Sequence, residues 1–153
     1  MSPNLVSARI TRVMVPVDGS EHSMKAAELA VEIAKKTNSQ LFFIHVFEKD
    51  KVPDWFKTFA ELEHLGAADY FDIVDRRLFA PLIARAKESE IQDFHCIRAT
   101  GDSANEILKN AERLKVDLIV MGTRGLGKLS GVILGSVSSQ VLSKATCTCV
   151  AVK

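Results

Sequence analysis

Short apolar, β-branched-rich runs alternate along this chain with longer segments of helical period. The strongest runs are Ile10–Val17, Leu41–Phe47 and Asp117–Met121; His95–Thr100 and Cys147–Val152 are weaker. Each is brief and nearly continuous in apolar residues, as a strand buried on both faces of a parallel sheet must be. Between them, Ala26, Leu29, Ala30 and Ile33 share one helical face while Lys25, Glu28, Glu32 and Lys35 share the other. Ala104, Ile107, Leu108 and Ala111 repeat that pattern, and Ser103 with Glu106 fits a capping box at its start. A short last helix has Val137, Val141 and Leu142 inward and Gln140, Ser143 and Lys144 outward. Phe71, Val74, Leu78, Leu82 and Ala86 also have helical spacing, but Pro81 should kink or interrupt them. It lacks an amide, and its ring crowds the preceding turn. Val52-Pro53-Asp54 reads as a loop, and Trp55, Phe56 and Phe59 as an aromatic cluster packed at the edge of the core.

Strand–helix alternation predicts an α/β fold, an open parallel sheet covered by helices on both faces through right-handed crossovers. Sheets of this kind bind ligands beyond the carboxyl ends of their strands, where strand order reverses. Candidate chemistry is therefore expected at Asp18, Val46, Thr100-Gly101 and the segment after Met121.

Length and charge narrow the classes. At 153 residues the chain suits one domain, residues 1–153, large enough for a core without metals or disulfides. Twenty basic against nineteen acidic residues leave a net charge of +1, so no strong field favours nucleic acid or an anionic membrane. Three cysteines cannot close a disulfide framework, and no segment approaches a membrane span. A cytoplasmic protein is expected.

Eight glycines occur in the chain, and five of them are Gly122, Gly125, Gly127, Gly131 and Gly135. They follow a predicted strand and precede a predicted helix, where converging backbone amides can hold an anion. Ser136 then stands at the helix start, which favours phosphate. The plainer reading is a surface loop without a ligand. A P-loop is rejected: Gly122-x-x-x-x-Gly127-Lys128 is followed by Leu129, where a metal-binding hydroxyl belongs. The dinucleotide pattern fails at Ser130, where its third glycine should be.

Gly122-x-x-Gly125, nine residues, then Gly135-Ser136 resembles the nucleotide-binding signature of the universal stress protein family. Val15-Pro16-Val17-Asp18-Gly19-Ser20 is similar to that family's first strand and turn, His45-Val46 to its second strand end, Gly101-Asp102 to the turn into its third helix, and Asp117–Gly122 to its fourth strand. The likeness is weakest over residues 48–90, and Thr148 replaces a proline frequent in the family's last strand.

The resemblance implies a Rossmann-like, adenine nucleotide alpha hydrolase-like sheet of five parallel strands in the order 3-2-1-4-5. It also implies ATP or AMP across the carboxyl edge, with or without Mg2+. By position, Asp18, with Pro16 and Val17 beside it, would face the ribose or adenine, and Val46 would meet the adenine through its backbone. Met121 and Gly122 would line the ribose side. Gly125, Gly135, Ser136, Val137 and Ser138 would hold phosphates, with Arg124 beside them. A side chain at Gly135 would intrude on the cradle and meet a positive φ, whereas Lys128 belongs to a solvated loop face.

Other candidates have plainer readings. Asp18-Gly19-Ser20 could be only an Asx turn and helix cap. His45 alternates with apolar neighbours and reads as a buried, hydrogen-bonded histidine; His22, His64 and His95 read as surface residues. Cys147 and Cys149 lack the geometry of a metal fork, and Cys96 reads as core. No base is evident to activate a water at the phosphates, so a nucleotide sensor is expected, with slow hydrolysis or none. The alternatives are a slow ATPase or phosphotransferase using Ser136 or Ser138 as acceptor, and a nucleotide-free dimeric module. In the implied order Cys147–Val152 is an apolar edge strand, which predicts a homodimer paired along it.

Overall fold

The computed structural model describes residues 8–52, 54, 56–58, 67–124 and 134–153. In chain order its elements are β1 (Arg12–Pro16), α1 (Glu21–Thr37), β2 (Gln40–Phe47), a helical run α2, β3 (Phe94–Thr100), α3 (Ser103–Arg113), β4 (Leu118–Gly122), α4 (Ser136–Lys144) and β5 (Thr148–Val152). The run α2 consists of α-helix Ala67–Val74, a π-helical turn Asp75–Phe79 and α-helix Ala80–Glu88. The five strands form one parallel sheet in the order β3-β2-β1-β4-β5, as expected.

Side-chain alternation divides the apolar runs between two layers. Val13 and Val15 of β1, Leu41 and Phe43 of β2, and Leu118 and Val120 of β4 point to the face covered by α1 and α2. Met14, Phe42, Ile44, Ile119 and Met121 point to the opposite face, under α3 and α4. Phe43 and Ile44 are fully buried, one in each layer, and burying a side chain of that size contributes roughly 1.5–3 kcal/mol. At the opposite edge from the cleft described below, Asp117 accepts from the amides of Thr11 and Arg12 at 2.7 and 2.8 Å, tying the starts of β1 and β4 together. Strand β4 therefore begins at Leu118, one residue later than the apolar run.

Helix α1 is capped by Ser20, whose hydroxyl oxygen accepts from the Ser23 amide, and ends at Asn38 in the left-handed region with φ 52°. Its buried stripe is Ser23, Ala26, Ala27, Ala30, Val31 and Ala34. Leu29, expected inside, is 37% exposed, because the small residues bring the helix close to the sheet and centre the buried face on themselves. A second correction concerns α3. Its cap is Asp102, whose carboxylate accepts from the Asn105 amide at 3.0 Å, and Ser103 is already the first helical residue.

The interruption expected at Pro81 takes the form of the π-turn just before it. With no amide at position 81, the helix widens upstream, and the Ala80 amide donates to the Asp75 carbonyl five residues back. Val74, Leu78, Leu82 and Ala86 are buried as the spacing predicts, while Tyr70 rather than Phe71 is the residue fully inside. Phe56 packs against Tyr70 with ring centroids 4.7 Å apart; Pro53, Trp55, Phe59 and His64 lie outside the described residues. No helix among the described residues is long and apolar enough to cross a membrane.

Candidate functional site

The chain leaves β1 for β2 on one side and returns through β4 on the other, so strand order reverses between β1 and β4. At the carboxyl ends of these strands lies a cleft of about 460 Å³. Every residue that the family resemblance assigns to the site lines it except Gly125, which lies outside the described residues with Gly127, Lys128, Leu129, Ser130 and Gly131. Thr100 and Gly101, expected from the sheet edge, do not line it. Pro16, Val17 and Asp18 come from the end of β1, and Val46 from β2. Met121 and Gly122 come from β4, Arg124 from just beyond it, and Gly135, Ser136, Val137 and Ser138 from the start of α4.

Asp18 sits in the turn between β1 and α1. Its Oδ1 accepts from the Ser20 amide at 2.9 Å, and its own amide donates to Ser23 Oγ at 3.3 Å. Gly19 between them has φ +83°, which L-residues rarely adopt. The Asx turn is therefore real, and it engages one carboxylate oxygen of a residue that also lines the cleft.

The two signature glycines that are described have different reasons. A Cβ at Gly122 would stand 2.7 Å from the His22 carbonyl carbon and 2.9 Å from the Ser23 amide nitrogen. Glycine there lets the first turn of α1 pack directly on the end of β4. At Gly135 φ is −71°, an extended conformation open to any residue, so the positive φ expected there is corrected. A Cβ at Gly135 would meet the Thr123 carbonyl at an ordinary 3.4 Å.

Helix α4 is pinned to the end of β4 by its first turn. The Gly135 amide donates to the Thr123 carbonyl at 2.6 Å, and Ser138 Oγ donates to the carbonyls of Gly122 and Thr123 at 3.0 and 3.1 Å. The Ser138 hydroxyl, expected to hold phosphate, is instead committed to the backbone and buried. The amides of Ser136, Val137 and Ser138 have no acceptor among the described residues, and they stand at the positive end of the helix. Ser136 is exposed, as is Arg124. His22, read as a surface residue, is half-buried, with Nδ1 3.0 Å from Thr123 Oγ1.

On the β2 side His45 is buried as expected. Its Nδ1 lies 2.7 Å from the Val17 carbonyl and its Nε2 2.6 Å from the Tyr70 hydroxyl. Burial pushes the imidazole below its ordinary value, against the opposing pull of the Val17 carbonyl and Asp18. Burial likewise pushes the Tyr70 phenol up to about 12. Sequence reasoning missed Tyr70, Glu48, Lys51, Ser103 and Ile107, all of which line this side. Glu48 accepts from the Ser103 amide at 2.7 Å and pairs with Lys51 at 2.9 Å. Burial raises the Glu48 carboxyl, but Ser103 and Lys51 outweigh it and hold it below the usual range.

The fold and its open edge occur in known proteins. A universal stress protein of Methanocaldococcus jannaschii is 30% identical over 145 residues, covering 93% of this chain and 81% of that one. One from Thermus aquaticus is 33% identical over 138 residues, covering 88% and 93%. Among solved structures, UspA from Lactobacillus plantarum superposes with a TM-score of 0.75 at 25% identity, covering 96% of this chain and 100% of that one. A universal stress protein in complex with cAMP matches with a TM-score of 0.68 at 24% identity, covering 94% and 97%. One from Archaeoglobus fulgidus in complex with dAMP matches at 0.63 and 14%, covering 96% and 100%. The family model for universal stress proteins matches residues 9–153, the whole sheet and every described wall of the cleft, and the chain belongs to the universal stress protein family.

Proposed function

We propose that this chain binds an adenine nucleotide, ATP or AMP, in the cleft at the carboxyl edge of the sheet and serves as a regulatory nucleotide sensor. The observation that carries this reading is the span of one cleft. Asp18 and Val46 stand at one end, and the open amides of Ser136, Val137 and Ser138 stand at the other. A cleft of several hundred Å³ suits a nucleotide, and a helix N-terminus suits its phosphates. The relatives crystallised with cAMP and dAMP support an adenine ligand. In this reading Asp18 and Val46 hold the base and ribose side, and Gly125, Gly135 and the start of α4 hold phosphates, with or without Mg2+.

Little at the phosphate end would drive turnover. Its described groups are backbone amides, hydroxyls and the guanidinium of Arg124, and hydrolysis needs a group that orients a water. A second reading, slow phosphotransfer to the protein, is favoured only by the exposed hydroxyl of Ser136; the Ser138 hydroxyl is already committed. Denaturing the purified protein and identifying released nucleotide by chromatography tests the first reading. Mass spectrometry after incubation with labelled ATP tests the second. Recovery of no nucleotide, together with no calorimetric binding of ATP or AMP, would count against both.

A further inference from the structure

We infer that Tyr70 and His45 form a buried latch that sets the Val17–Asp18 turn, and so act as positioning residues for the base side of the cleft. The inference rests on the nucleotide-binding reading above. The ladder between β1 and β2 ends at the pair Pro16–Ile44, and the Val17 amide still donates to the Ile44 carbonyl at 2.8 Å. The Val17 carbonyl turns away from the ladder and meets His45 Nδ1 at 2.7 Å. A carbonyl only accepts, so the ring proton is on Nδ1, and Nε2 of the neutral ring accepts from the Tyr70 hydroxyl at 2.6 Å.

Asp18 follows directly. Its amide is held by Ser23 and its carboxylate by the Ser20 amide, so the turn is fixed by α1 on one side and by the His45 ring on the other. The hydroxyl of Tyr70 is itself held in place. The phenol ring packs on Phe47 at 4.4 Å, Phe56 at 4.7 Å and Phe71 at 5.6 Å between centroids. Both His45 and Tyr70 are almost completely buried, yet both contribute to the cleft wall. A helix from the stretch that least resembles the family thus reaches the site through one imidazole.

Packing alone and positioning give different results in four proteins titrated calorimetrically with AMP: the wild type, Tyr70→Phe, His45→Asn and His45→Gln. Tyr70→Phe keeps the ring, loses only the hydroxyl and leaves the buried Nε2 without its donor; it should remain folded with a lowered Tm and weaken AMP binding about fivefold. An asparagine amide nitrogen reaches the place of Nδ1, whereas that of glutamine reaches the place of Nε2. His45→Asn should therefore retain more affinity than His45→Gln. Nitrogen-15 spectra of the wild type should show the neutral His45 ring protonated on Nδ1. Wild-type affinity in both Tyr70→Phe and His45→Gln would overturn the latch, as would a proton found on Nε2. A wild type that binds no adenine nucleotide would instead sink the binding reading, and the role of the latch with it.

Discussion

Ser138 Oγ donates to the Gly122 carbonyl at 3.0 Å, so the first turn of the last helix is fastened to the end of the strand from which the glycine-rich segment departs. That bond and its companion to Thr123 are buried. Ser138→Ala leaves both carbonyls without this donor and should cost about 1–3 kcal/mol in urea denaturation. Ser136 is exposed, and Ser136→Ala should stay within about 0.5 kcal/mol of wild type. In calorimetric titration with ATP the order should reverse, with Ser136→Ala losing affinity directly.

Gly122→Ala should be strongly destabilising, since its Cβ would meet backbone atoms of His22 and Ser23 that cannot swing aside. Overpacking of this kind costs at the upper end of about 1–3 kcal/mol, a fall in Tm of roughly 5–10 °C for a domain of this size. Gly135→Ala has ordinary space and an extended backbone, and its Tm should be close to wild type. Calorimetric melting of the two variants side by side checks the contrast.

Gly135→Val tests the cleft rather than the fold. The backbone there accepts a β-branched residue, while the added methyls stand at the cleft wall beside the open amides. Binding of ATP should be lost with the circular dichroism spectrum unchanged. Lys128→Ala should bind normally. The opposite pattern would restore the P-loop reading that Leu129 argues against.

The buried histidine sets a pH dependence. Unfolded, His45 takes up a proton near its ordinary value of 6.5; folded, it does so only at lower pH, because burial disfavours the cation. Below pH 6.5 the unfolded chain therefore binds more protons, and its contribution to stability is lost as pH falls toward the folded pKa. Tyr70 has the opposite sense. Its folded pKa is raised from 10 to about 12, so stability is lost as pH rises through that window. Chemical denaturation across the pH range should show both flanks. His45→Asn should flatten the acid one near pH 6, and Tyr70→Phe the alkaline one.

Strand β5 is bonded to β4 on one side and to no strand among the described residues on the other, and we expect two copies to pair along that edge. Light scattering at micromolar concentration should then give twice the 16.8 kDa chain mass. A monomer mass would remove this expectation.

The parallel sheet, its two covered faces and the position of the cleft were legible because apolar runs and glycines respond to forces that act along the whole chain, whereas the strand order came only from the family resemblance. Finer features depend on neighbours that are distant in sequence. Val17 is as apolar as Val15, yet its carbonyl leaves the ladder for His45, so the apolar run overshoots the strand. Leu29 has the right period but the wrong face, since hydrophobicity alone cannot show that alanines will make the close approach. Asp102 and Ser103 are both good caps, and only the path of the chain out of Gly101, at φ +143°, chooses between them. Tyr70, Glu48 and Lys51 went unseen because nothing between residues 48 and 70 states where the chain folds back.

The widened turn at Asp75–Phe79 solves a problem of phase. One buried stripe of α2, flanked by Ile73 and Phe79, recurs at four-residue steps from Tyr70 through Val74, Leu78 and Leu82 to Ala86. An α-helix turns once per 3.6 residues, so each such step advances about 40° too far, and four of them would carry the stripe about 160° around the helix. A turn closed over five residues takes back part of that excess. It keeps Tyr70 beneath the sheet at His45 while Leu82 and Ala86 remain in the same layer and Arg85 pairs with Glu28 on α1. The same residues wound as one unbroken α-helix, with none removed, would leave its two halves facing different ways.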